Sequence, residues 1–126
     1  AINIYPDNPL FLNDLGYTLL DFSEHLNEAG LLIQRAVALD PANAYYQDSL
    51  AWYYYLTSDF NSALEHINLP MQLKDMPAEI SYHIGMILIA NQKNEEAMKY
   101  LQAVTEDQTN PLYQEKARQA LEELQK

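Results

Sequence analysis

The 126-residue chain has no cysteine, only three glycines, and seven Lys plus Arg against eighteen Asp plus Glu. Each shortage removes a class of protein. Without cysteine there is no disulfide scaffold, no cysteine-ligated zinc site and no thiol nucleophile. So few glycines leave no room for most phosphate-cradling loops. A formal charge of -11 repels a polyanion, and nucleic-acid binding needs cationic side chains to displace counterions from phosphates. No nucleic-acid partner is expected. The longest apolar run, Ile84 to Ala90, falls far short of the roughly 20 residues that span a bilayer, so no membrane insertion by this segment is expected. The N-terminus shows no basic region followed by an apolar stretch, hence no signal peptide, and Ala1 reads as a cut end. What remains is a chain that is 48% apolar, which at this length buries roughly two-thirds of the surface its unfolded form exposes.

Composition suggests one domain, but the pattern along the chain has a period. Leu15-Gly16 with Leu19, Leu50-Ala51 with Tyr54 and Ile84-Gly85 with Leu88 all read as apolar, small, then large apolar. The spacing is 35, then 34 residues. Downstream of each lies a small residue with a large apolar one four later: Ala29 and Ile33, Ala63 and Ile67, Ala97 and Leu101. Helices packed at about 8 to 10 Å need little side-chain volume at the contact. Glycine inside a helix costs about 1 kcal/mol relative to alanine, so Gly16 and Gly85 at the same register position point to such a contact. The punctuation agrees. Asn8-Pro9 and Asn110-Pro111 each place a good cap before a proline at the first helical position, and Asp59 and Asn94 are expected to cap second helices.

This pattern resembles the tetratricopeptide repeat, a helix-turn-helix unit of about 34 residues. The resemblance implies an all-α solenoid, a right-handed superhelix of helix-turn-helix repeats. On its register, residues 1–8 are the tail of a preceding repeat, residues 9–43, 44–77 and 78–111 are three repeats, and residues 112–126 are a capping helix. First helices are expected to start near Pro9, Ala44 and Ala78, and their partners near Glu28, Phe60 and Glu95. In the last segment Arg118 and Gln119 replace the apolar-small pair, leaving a stripe of Tyr113, Ala117, Leu121 and Leu124. Terminal elements of arrays need such a polar outer face. Pro70 departs from the family. It removes a helical hydrogen bond and should end or kink the second helix of the middle unit near Asn68, making Leu69 to Pro77 an apolar connection that patches the core or forms a binding lip.

In this family the first helices line a concave groove. Carried onto this chain, the groove-facing positions are Asn13, Tyr17 and Leu20; Asp48, Trp52 and Tyr55; Tyr82, Met86 and Ile89. Each triplet follows i, i+4, i+7 and shares one helix face. Chaperone-binding members hold a C-terminal carboxylate with lysines and arginines, yet none falls in these three first helices. The expected ligand is therefore a protein or peptide segment of apolar or aromatic character, with a basic residue near Asp14, Asp21 or Asp48. Within Trp52-Tyr53-Tyr54-Tyr55, Tyr54 is a packing residue, Tyr53 touches the neighbouring helix, and Trp52 and Tyr55 face the groove. Tyr45 and Tyr46 are expected to pack against the first unit, and His83 to be half-buried.

Catalytic constellations are weak. Glu24, His25 and Glu28 could imitate a metal site, and Glu65 with His66 lacks a third ligand. Asp48, Ser49 and the three histidines form no nucleophile, base and orienter order. No enzyme activity, metal or cofactor is expected. The phrases Leu12-Asn13-Asp14-Leu15-Gly16-Tyr17-Thr18-Leu19, Phe22 to Asn27, Asp48-Ser49-Leu50-Ala51-Trp52 and His83-Ile84-Gly85 are similar to C-terminal repeats of bacterial envelope proteins, including outer-membrane lipoproteins. That resemblance implies a scaffold or adaptor in a longer array, docking partners on the periplasmic side. The alternatives are a three-repeat acidic secretion chaperone in the cytoplasm, or a structural module that self-associates.

Overall fold

A computed structural model describes residues 6–126; of the expected tail of a preceding repeat, residues 1–5 lie outside the described residues. The chain is helical throughout, with α1 Pro9–Leu19, α2 Leu26–Leu39, α3 Ala44–Leu56, α4 Phe60–Glu65, α5 Ala78–Ala90, α6 Asn94–Glu106 and α7 Pro111–Leu124. Two short 3-10 turns, Ser23–His25 and Pro70–Gln72, interrupt the connections. Helices pair in chain order, α1 with α2, α3 with α4 and α5 with α6, and α1, α3 and α5 also touch one another. This is an all-α solenoid of helical hairpins.

Side-chain caps start four helices. The Asn8 side chain accepts from the Phe11 N–H at 3.1 Å, Asn43 from Tyr45 and Tyr46, Asp59 from Ser62 and Asn110 from Tyr113. Each satisfies backbone donors that a helix start leaves unpaired. Asn94 is a correction: it is the first residue of α6, whose cap position is Lys93 with no side-chain bond. Glu95 and Glu96 in that first turn favour the helix start through its dipole instead. Helix α2 begins two residues before the expected Glu28, because the 3-10 turn already carries the chain round from Phe22.

Helices cross where side chains are smallest. A methyl group added at Gly16 would lie 2.7 Å from Ile33 Cγ1 and 3.1 Å from the Ala29 carbonyl oxygen, and one at Gly85 would lie 2.7 Å from Leu101. Ala29, Ile33, Ala51, Ala63, Ala97 and Leu101 are fully buried around these crossings. Gly30 has a different occupant, the ring of Tyr53 lying across it.

Helix α4 is only six residues long and stops at Glu65, earlier than the Asn68 expected from sequence. The reason is local. Pro70 has no N–H for the carbonyl of residue 66, and its ring displaces that carbonyl, so the helix gives way at His66. The following segment belongs to the core: Pro70 is buried, and Met71, Leu73 and Met76 pack against a cluster that includes Ala51, Ala63, Ile67 and Ile84. Tyr46 is buried as expected, but Tyr45 is a correction, standing 51% exposed at the first turn of α3. It stands about 100° round the helix from Tyr46, which meets Leu32 and Ala36 of α2, and borders a cavity beside Asn13 and Asp14 instead.

Ser58 and Gln92 both have φ of 64°, at matching turns between α3 and α4 and between α5 and α6. A side chain in this left-handed region is strained by about 1 kcal/mol or more, and glycine is not. Ser58→Gly and Gln92→Gly are each expected to stabilise the fold by about 0.5 to 1 kcal/mol in urea denaturation. Gly16→Ala should destabilise it by about 1 to 2 kcal/mol despite better helix propensity, because overpacking a closed crossing outweighs that gain.

Candidate functional site

The faces of α1, α3 and α5 that lie away from α2, α4 and α6 form one surface, and α7 closes its far side. A cavity of about 310 Å³ touches all four: Tyr17 and Leu20 from α1 and its end, Trp52 and Leu56 from α3, Tyr82 from α5, and Tyr113 and Lys116 from α7. It is therefore concave. Its floor is a polar link under an aromatic layer.

The link joins three helices. His83 of α5 is 1% exposed and Asp48 of α3 is 5% exposed. His83 Nδ1 lies 3.0 and 3.2 Å from the two Asp48 carboxylate oxygens, and Nε2 lies 3.3 Å from the Tyr17 hydroxyl of α1. With the neutral ring, Nδ1–H donates to Asp48 and Nε2 accepts from Tyr17. A buried carboxylate needs such partners, since an unpaired one is strongly destabilising. His83 is thus fully buried, not half-buried as expected, and Asp48 is engaged by it.

The aromatic layer covers this link. Trp52 stacks on His83 with centroids 4.1 Å apart and on Tyr55 at 4.6 Å, and Tyr82 tilts against Trp52 at 6.1 Å and Tyr113 at 5.5 Å. The Tyr113 hydroxyl donates to Glu79 Oε1 at 2.6 Å. Burial pushes the Tyr17 and Tyr113 hydroxyls well above the ordinary tyrosine value, and the hydrogen bond to Glu79 adds to it. Burial also raises Tyr55 and Tyr82.

The nine expected groove positions do not all serve it. Tyr17, Trp52 and Tyr82 line the aromatic cavity and are half-buried. Met86 lines a neighbouring hollow with Lys116. Tyr55 is half-buried behind Trp52 and beside Phe60. Leu20 shows only an edge, being 6% exposed among Ala29, Ile33 and Leu50. Ile89 packs into the core on both sides, although seven residues bring it back to nearly the angle of Tyr82. Asn13 is buried, and its Oδ1 has no hydrogen-bond partner.

Sequence reasoning missed Glu79, Tyr113 and Lys116. Lys116 sits 5.4 Å from the Tyr113 ring centroid, so α7 supplies the groove with a cation that the three first helices lack. The signal was present as a separation of 34 residues between Glu79 and Tyr113 and of 35 between Asp48 and His83, the repeat spacing itself. Among the described residues no three His, Asp or Glu side chains come together as metal ligands; His25 and Glu28 approach at 3.7 Å on an exposed turn. Nor is any described helix long and apolar enough to cross a membrane.

A stack of helical hairpins with an aromatic concavity defines a repeat-type protein-interaction scaffold. No protein-family profile matches the sequence. The chain is 34% identical over 80 residues to a TPR repeat-containing protein of Pseudomonas aeruginosa, a match spanning 64% of this chain and 13% of that protein. Together with the 34-residue period and the fold, this likeness supports the tetratricopeptide repeat family. Members are typically non-enzymatic scaffolds for protein partners.

The tyrosine shifts give a pH dependence with a definite sign. A hydroxyl raised above 10.0 holds its proton more tightly folded than unfolded, so its stabilisation is complete below pH 10 and lost as pH rises beyond it. Urea midpoints are expected to stay level from about pH 8 to 9.5 and fall above about 10. Tyr17→Phe with Tyr113→Phe should flatten that fall; an unchanged slope would place its origin elsewhere.

Proposed function

We propose that the groove formed by α1, α3, α5 and α7 captures an extended apolar or aromatic segment of a partner protein, making the chain an adaptor within a longer repeat protein. The observation that carries this reading is the aromatic cavity touching all four helices, with Tyr17, Trp52, Tyr82 and Tyr113 around it. Large planar side chains offer contact area at little entropic cost and are frequent binding hot spots. The Tyr17 and Tyr113 hydroxyls are already paired, which keeps those two rings in place before a ligand arrives. Pre-ordering of this kind lowers the cost of association. The charge of -11 disfavours acidic partners and suits a segment with some basic character.

The longer-protein element rests on the Pseudomonas relative, of which this chain matches 13%, and on apolar side chains left on the α1–α2 end, where Leu10 is 57% and Leu31 70% exposed. A neighbouring helix pair would cover them, as repeats do for one another. The resemblance to envelope proteins supports a periplasmic location for such an array.

Trp52 is the one tryptophan of the chain, so its emission reports the groove directly. Peptides selected from an immobilised library on the purified protein are expected to shift Trp52 fluorescence saturably. Tyr82→Ala with Met86→Ala should weaken them at least about tenfold, the loss of roughly 1.4 kcal/mol, while helicity by circular dichroism is kept. Binding that leaves Trp52 unchanged and tolerates both substitutions would overturn the groove assignment.

A further inference from the structure

Beside the aromatic cavity lies a second one of about 320 Å³, walled by α1, α3 and the start of α5. Tyr17 lines both. The chemistry of the second is different. Asn13, Asp14, Asp48 and Glu79 face it, and no Lys or Arg does. The hydroxyl protons of Thr18, Ser49 and Tyr17 are already committed. Thr18 donates to the Asp14 carbonyl at 2.8 Å and Ser49 to the Tyr45 carbonyl at 3.2 Å, while the proton of Tyr17 is taken by His83 or Glu79. What these groups still offer is lone pairs.

Asn13 makes the cavity more than a cluster of acids. It is 8% exposed, and its Oδ1 is a buried acceptor with no partner in the protein. Leaving such an atom unsatisfied costs about 1 to 3 kcal/mol, so a bound group that donates to it is favoured. Glu79 is held in place by Tyr113, and Asp48 by His83, so two of the three carboxylates are fixed before anything binds. A group that donates several hydrogen bonds and carries positive charge fits the three carboxylates and Asn13 Oδ1, and an anion does not.

We propose that this cavity receives the lysine or arginine side chain of the partner segment whose apolar or aromatic residue occupies the neighbouring cavity. The proposal rests on the groove reading and assigns the basic residue of the ligand to Asn13, Asp14 and Glu79. Asp48 serves it as a fixed negative charge behind the His83 ring.

The test uses the whole chain and two defined probes, N-acetyl-arginine methylamide and its uncharged citrulline counterpart, followed by nitrogen-15 NMR. The arginine compound is expected to shift the Asn13 side-chain amide saturably and the citrulline compound to leave it unmoved. Asp14→Asn with Glu79→Gln should weaken the arginine response at least about tenfold. In peptides selected for Trp52 binding, arginine-to-citrulline replacement should weaken the native protein by a similar factor and barely affect the double variant. An equal response to both probes, or an arginine response indifferent to the double variant, overturns the proposal. Peptides that move Trp52 with no preference for a basic residue overturn it while leaving the groove reading intact. Arginine binding at Asn13 with no peptide reaching Trp52 would mean that the groove reading fails and that the occupant is a free amine, which also overturns the assignment to a peptide side chain.

Discussion

The architecture depends on how closely paired helices approach where their side chains vanish. Gly16 lies against Ile33 and the Ala29 carbonyl, Gly85 against Leu101, and Ala51 is fully buried at the corresponding place in the middle pair. Close contact brings the backbones together along a ridge, so that each hairpin presents a flat side to the next. Three such hairpins then align their first helices. The groove is a consequence of that alignment, because α1, α3 and α5 can share a floor only if each stands at the same depth over its partner.

The second constraint is polar. Asp48, His83 and Tyr17 tie the three first helices together under the aromatic layer, and Trp52 seals the link by stacking on His83. Apolar stacking between repeats is tolerant of small slides. A hydrogen-bonded link with a buried carboxylate is not, because any displacement leaves a charge unpaired in a poor solvent. The link thereby sets the relative position of three helices and, through Tyr17, the wall between two cavities.

Helix α7 is part of the site as well as of the stack. Its inner stripe packs Ala117 among Ala78, Leu101 and Val104. The same orientation aims Tyr113 and Lys116 across the groove. Its outer side carries Arg118 paired with Glu115 and Glu122, exposed ion pairs that contribute little to stability.

The helices and their crossings were legible in the chain because they are set by nearest neighbours: asparagine before proline at α1 and α7, small residues at a fixed period, and Pro70 stopping α4. Trp52 and Tyr82 were legible as groove residues for the same reason, since helical spacing decides which face a side chain is on. Local pattern was weaker at the edges of a face. Leu20 and Ile89 share the angular position of groove residues yet pack inward, and Tyr45 turns outward beside a buried Tyr46. An angle around one helix does not state how far a neighbouring helix reaches over it.

The sequence by itself determined the lack of cysteine and of cationic residues in the three first helices, and with it the exclusion of a thiol site and of a carboxylate clamp built on those helices. It also determined the period that makes the array. Only the tertiary structure decided that His83 closes on Asp48 across two helices, that Glu79 meets Tyr113, that Lys116 arrives from α7, and that Asn13 is left with an open acceptor. The physical reason is separation. Contacts within a helix follow from spacing along the chain, whereas a pairing across a repeat depends on the distance and tilt at which whole hairpins settle, and those are fixed by the combined packing of every side chain between them.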